Sequence, residues 1–139
     1  METVLYHPEH GYYSSARPKL GRDGDFVTSP EVHPAFAYTV SRLVTATFEA
    51  TGGPGMVIEA GAGAGTMAAD ILAVLPTGTR YRIIEVSPGL EAAQRQRLAE
   101  YTGHIQWMTW DAAPPVEGPV VVITNELFDA LPWSLNDRQ

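Results

Sequence analysis

The chain has 139 residues, 45% of them apolar, which bounds it to about one domain with a real core. Its net charge of −7 argues against binding a nucleic-acid backbone, and the absence of cysteine excludes disulfides and thiol-based metal sites or nucleophiles. No apolar run reaches the roughly 18 residues of a membrane span, the N-terminus lacks the basic and apolar regions of a secretion signal, and a cysteine-free composition fits a reducing compartment, so a cytoplasmic location is expected.

In chain order, residues 1–32 read as a loop-rich extension, because Pro8, Gly11, Pro18, Gly21 and Gly24 punctuate them closely. Residues 33–139 read as a ligand-binding α/β domain. A helix is predicted from Thr28, where Thr28 and Glu31 have capping-box spacing and Pro30 falls in the first turn. Its apolar face is Phe36, Val40, Leu43, Val44 and Phe48, and Gly52, Gly53 and Pro54 end it. "MVIEAG" is a short buried strand, and "TMAADILAVL" a helix with Met67, Ile71, Leu72 and Leu75 on one face. "RYRIIEV" is a second strand, Ser87 and Pro88 open a further helix, "HIQWMTW" is a third strand and "PVVVIT" a fourth. The alternation predicts a parallel sheet. An open nucleotide-binding sheet normally has two halves about a switch point; here the first half and one strand of the second are legible. Either the chain is a fragment or another chain completes the fold.

The turn between the first strand and its helix carries the chemistry. Gly61, Gly63 and Gly65 alternate in "EAGAGAG". Glycine permits positive φ and lets backbone approach a ligand, and the helix that follows presents amide N–H groups at the same spot. A dinucleotide fingerprint wants Gly-x-Gly-x-x-Gly, and its third glycine would fall on Thr66. Glu59, just ahead of the turn, would repel a pyrophosphate and attract an ammonium group. A cationic adenosyl ligand, S-adenosylmethionine, fits both details. Glu85 ends the second strand where an acidic residue accepts from ribose hydroxyls. Asp111, after the third strand, is placed to bond the adenine amino group, with Trp110 or Met108 against the ring; Asp111 as a plain turn former is the competing reading. His7, His10, His33 and His104 show no metal spacing, and no metal is expected.

"LYHPEHGYY", "GDFVTSPEV", "IEAGAGAGTMAADIL", "IIEVSPGLEAAQRQRL" and "NELFDALP", in this order, resemble the MidA-like family of class I S-adenosylmethionine-dependent methyltransferases, which includes a mitochondrial complex I assembly factor that methylates arginine. The resemblance implies a Rossmann-like partial parallel sheet, order 3-2-1-4, with helices on both faces. It places Thr28 and Ser29 near the cofactor pocket beside Gly61, Gly63, Gly65 and Glu85. It also implies truncation at both ends, since family members are more than twice as long. Arginine methyltransferases hold the guanidinium with glutamates after the fourth strand, so Glu126 resembles such a residue. The expected catalytic set is Asn125, Glu126 and Asp129, the two carboxylates sharing a face if a helical turn begins there. The plainer alternative makes Asn125 a helix cap and leaves Asp129 solvated.

The expected activity is methyl transfer from S-adenosylmethionine to an arginine side chain of a protein substrate. The alternatives are a cofactor-binding fragment or assembly scaffold without activity of its own, and an NAD(P)-dependent oxidoreductase. The fourth strand, read as an uncovered apolar edge, predicts a homodimer through that edge.

Overall fold

The computed structural model describes His10, residues 29–128 and Leu131. Four parallel strands, β1 (Met56–Ala60), β2 (Arg80–Ile84), β3 (Ile105–Met108) and β4 (Val120–Thr124), form one sheet in the order β3-β2-β1-β4. The expected order 3-2-1-4 therefore holds. In register, Ala60 lies beside Ile84 and Thr124, and Ile84 beside Met108, so all four strands end at one edge.

The helices are α1 (Ser29–Val32), α2 (Ala35–Ala50), α3 (Thr66–Leu72) and α4 (Pro88–Arg97). Short 3-10 turns follow at Ala99–Tyr101 and Trp110–Ala112. Because strand side chains alternate, Val57, Tyr81, Ile83 and Ile105 share one face of the sheet. Onto that face pack Ala37, Val44 and Phe48 of α2, Met67, Ala68 and Ile71 of α3, and Leu98 at the end of α4. Both β-α-β crossovers lie on this face, as right-handed connections require when the chain steps in one direction across the sheet. On the second face lie Met56, Ile58 and Ala60 of β1 with Arg82 and Ile84 of β2. Among the described residues this face carries the loop from β3 to β4: the Arg82 guanidinium donates to the Pro114 carbonyl at 3.0 Å and to Gln106 Oε1 at 3.3 Å. A cleft of about 410 Å³ opens there between Met56, Arg80, Arg82 and Glu117.

Two details of the helical reading are corrected. The helix expected to run on from Thr28 is interrupted. A residue before proline disfavours the helical region, so α1 stops before His33 and α2 starts after Pro34, its Ala35 N–H donating to His33 Nδ1 at 3.0 Å. Thr28 itself lies outside the described residues. The buried stripe of α2 is Ala37, Ser41, Val44 and Phe48, while Phe36 and Leu43 are exposed.

Candidate functional site

The carboxyl edge of the sheet gathers most of the residues singled out in the sequence. Gly61, Gly63 and Gly65 have φ of 70°, 55° and 79°. All three are left-handed, a conformation that costs an ordinary residue roughly 1–2 kcal/mol and that alternating glycines supply without that cost. The turn is pinned at both ends: Gly61 N–H donates to Ile84 O at 3.0 Å, and Gly65 N–H to Ala62 O at 2.9 Å. Leu127, just past β4, closes over Gly61. A Cβ built there would lie 2.8 Å from Leu127 Cδ1.

Glu59 is not at the lip of this turn. In register with Ile83 and Ile123 it points to the helix-covered face, is 1% exposed, and accepts from the Tyr81 hydroxyl at 2.6 Å. Burial raises its carboxyl to about 7, with the Tyr81 hydrogen bond opposing part of that rise. A group half neutral near pH 7 and sealed in the core supplies a much weaker field to an ammonium ligand than a surface carboxylate would.

Glu85 stands beside the turn, one strand over. Its Oε1 accepts from the N–H groups of Val86 and Ser87, both at 2.9 Å, and its Oε2 from Gln94 Nε2 at 2.9 Å. Burial raises its pKa; the bonds from Ser87, Gln94 and Val86 pull it back, and repulsion from Glu91 adds to the rise. A carboxylate offers about four acceptor positions, so three bonds leave one for a hydroxyl. Ser87 caps α4 as expected, accepting from Leu90 N–H at 3.5 Å, with Pro88 in the first turn.

Gln94 was not singled out in the sequence, yet it is fully buried and joins the site's parts. Its Nε2 donates to Gly63 O at 2.8 Å as well as to Glu85, and its Oε1 accepts from the Trp107 indole N–H at 3.2 Å. Leu90, Gln94 and Leu98 stand four apart on α4, so Gln94 is a polar residue on an apolar stripe; that was the available signal. Arg97 Nε supports the turn further, donating to Ala64 O at 2.9 Å.

The remaining candidates divide. Asp111 and Trp110 are exposed on the 3-10 turn after β3, and Met108 is half-buried at the strand end. Asn125 is half-buried and Glu126 exposed, directly after β4. Glu126 has φ 50°, the one non-glycine positive φ among the described residues. Asp129 and Thr28 lie outside the described residues; Ser29 opens α1, and only its backbone is described. Among the described residues no three His, Asp or Glu side chains gather as a metal site. The arrangement fits an adenosyl ligand by its donor set: a bare turn for close approach, an acidic acceptor for a sugar diol, and apolar Trp110 and Met108 beyond it.

Comparison with known proteins agrees with this geometry. Residues 39–139 match the family model described as "Putative S-adenosyl-L-methionine-dependent methyltransferase". The chain is 32% identical to the mitochondrial protein arginine methyltransferase NDUFAF7 homolog of Drosophila melanogaster, over 95% of this chain and 36% of that protein. It is 31% identical to mitochondrial protein arginine methyltransferase NDUFAF7 of Xenopus laevis, over 95% of this chain and 37% of the relative. A crystal structure of a Burkholderia thailandensis protein bound to S-adenosyl-homocysteine superposes with a TM-score of 0.72 at 40% identity, covering 87% of this chain and 34% of that one. The chain thus spans about a third of the length of these relatives. The expectation of a cytoplasmic protein is corrected: the curated relatives are mitochondrial proteins by name.

Proposed function

The chain belongs to the S-adenosyl-L-methionine-dependent methyltransferase family, and from that premise we propose that it forms the cofactor-binding half of an enzyme that methylates a protein arginine. The observation that carries the cofactor assignment is the run of three left-handed glycines at the switch point between β1 and β4, with Glu85 at the next strand end. The arginine assignment is supported by the relatives named protein arginine methyltransferase and by the carboxylate at the end of β4.

In this reading Gly61, Gly63 and Gly65 admit the amino-acid part of the cofactor, and Glu85 accepts from the ribose. Asp111 takes the adenine amino group, and Thr28 and Ser29 belong to the cofactor pocket. Glu59 acts from beneath, holding β1 to β2 through Tyr81. When bound, S-adenosylmethionine supplies an electrophilic methyl group on sulfur. The chain's part is positional, since in-line displacement depends on alignment of the nucleophile. Glu126 and Asp129 grip the guanidinium and fix its plane, and Asn125 offers a carbonyl acceptor to the nitrogen that takes the methyl group. That nitrogen gains a carbon bond as the carbon–sulfur bond breaks, and it sheds one proton to solvent. The left-handed backbone at Glu126 stores strain of order 1 kcal/mol where a side chain must be aimed, a common feature of functional positions.

Calorimetric titration with S-adenosyl-homocysteine and with NADH tests the cofactor: binding of the first alone is expected, and binding of NADH alone would overturn the reading. For the substrate, Glu126→Gln, made in the enzyme of which this chain forms the cofactor-binding half, is expected to leave S-adenosyl-homocysteine affinity unchanged and to lower turnover on an arginine peptide about a hundredfold. Unchanged turnover would remove Glu126 from the mechanism.

A further inference from the structure

We propose that Gln94 is the positioning residue of the cofactor site, fastening the Glu85 carboxylate to the glycine turn so that the free acceptor of Glu85 faces the ribose hydroxyls. The inference rests on the cofactor reading above and adds a residue to it. A primary amide has two N–H donors and one carbonyl. At Gln94 the donors go to Gly63 O at 2.8 Å and Glu85 Oε2 at 2.9 Å, and the carbonyl accepts from Trp107 Nε1 at 3.2 Å. The partners fix the amide's orientation, because an indole N–H can only donate and a backbone carbonyl can only accept.

One side chain on α4 therefore ties together the turn after β1, the residue that follows β2, and β3. It is fully buried, so solvent cannot substitute for any of the three bonds. The Arg95 guanidinium lies over the Trp107 ring, 4.3 Å from its centroid, and Arg95 is paired to Glu91 at 2.7 Å. Glu85 has no other side-chain donor among the described contacts; its remaining bonds come from its own neighbouring backbone. Without Gln94 the carboxylate would keep its place near β2 but lose its tether to Gly63. A ligand that touches both turn and carboxylate gains affinity when the two are pre-set.

The test uses Gln94→Met, which keeps the volume and removes the amide, and Gln94→Glu, which keeps the shape and sets a second carboxylate against Glu85. Binding of S-adenosyl-homocysteine and of its 2′-deoxyribose analogue is measured by calorimetry, with circular dichroism as a check on folding. Gln94→Met is expected to weaken S-adenosyl-homocysteine about ten- to a hundredfold and to erase most of the wild-type preference for it over the deoxy analogue. A residue that only packed the helix would leave that preference intact. Gln94→Glu is expected to bind best at low pH, where a proton shared by the two carboxyls restores the bond to Glu85 but not the one to Gly63, and to weaken as pH rises and the charges repel; Glu91 adds to that repulsion. An unchanged preference in Gln94→Met, or a pH profile in Gln94→Glu that parallels wild type, overturns the proposal. Failure of the wild type to bind S-adenosyl-homocysteine would instead overturn the cofactor reading, and this inference with it.

Discussion

Glu59 occupies a core position because strand residues alternate, and its neighbours Val57, Tyr81 and Ile83 fix which face it takes. Between its ordinary value of 4.5 and its raised value of about 7, the folded chain holds a proton that the unfolded chain has released. The native state then binds more protons, so this group's contribution is fully present below pH 4.5 and is lost as pH rises through about 7. The loss amounts to about 3 kcal/mol. Glu85, also raised, acts in the same direction. Glu59→Gln keeps an acceptor for Tyr81 and carries no charge. Urea unfolding at pH 5 and pH 8 is expected to show the wild type losing stability with pH much more than the variant, and the variant being the more stable at pH 8. Parallel profiles would mean that Glu59 stays ionised and is compensated by something other than Tyr81.

At the scale of elements, the strands, their order and the three-glycine turn were legible because short runs of β-branched residues alternate with punctuated helices. The cap at Ser87 was legible for the same local reason. What escaped was whatever depends on partners distant in the chain. Glu59 reads as a lip residue until the pairing of β1 with β2 sets its face. Gln94 draws no notice until Trp107 and Gly63 stand beside it. On α2 the large residues Phe36 and Leu43 mislead, since the helix buries Ala37 and Ser41 where it lies close to its neighbours. Size marks hydrophobicity, but close approach selects small residues. The consequence is a contrast within one helix. Phe48→Ala, 1% exposed in the native chain, is expected to cost about 3–5 kcal/mol. Leu43→Ser, at a position 66% exposed, should change stability by less than about 0.5 kcal/mol. Chemical denaturation of the two variants decides it, and equal losses would restore the face read from the sequence.

For the molecule as a whole, the sheet is asymmetric. The face carrying α2, α3 and α4 is sealed, whereas among the described residues the other carries an irregular loop over β2 and nothing over β4. Val120 and Val122 stand in register with Met56 and Ile58 on that second face, 38% and 58% exposed. Among the described residues β4 pairs with β1 alone, so no described strand takes up its other edge, which lies next to apolar side chains. That combination templates pairing with a further strand, and in a solution of this chain by itself the strand available is β4 of a second copy. Sedimentation velocity is expected to show association that grows with concentration. Val122→Lys, which sets a charge on the bare face without touching the sealed one, should shift the distribution toward monomer while leaving S-adenosyl-homocysteine binding in place, because the glycine turn and Glu85 sit at the strand ends and their contacts run through α4. A wild-type chain that stays monomeric at high concentration would show that β4 is covered from within its own chain. Association unaffected by Val122→Lys would place the contact elsewhere, with the exposed Leu43 and Phe36 side of α2 the next surface to alter.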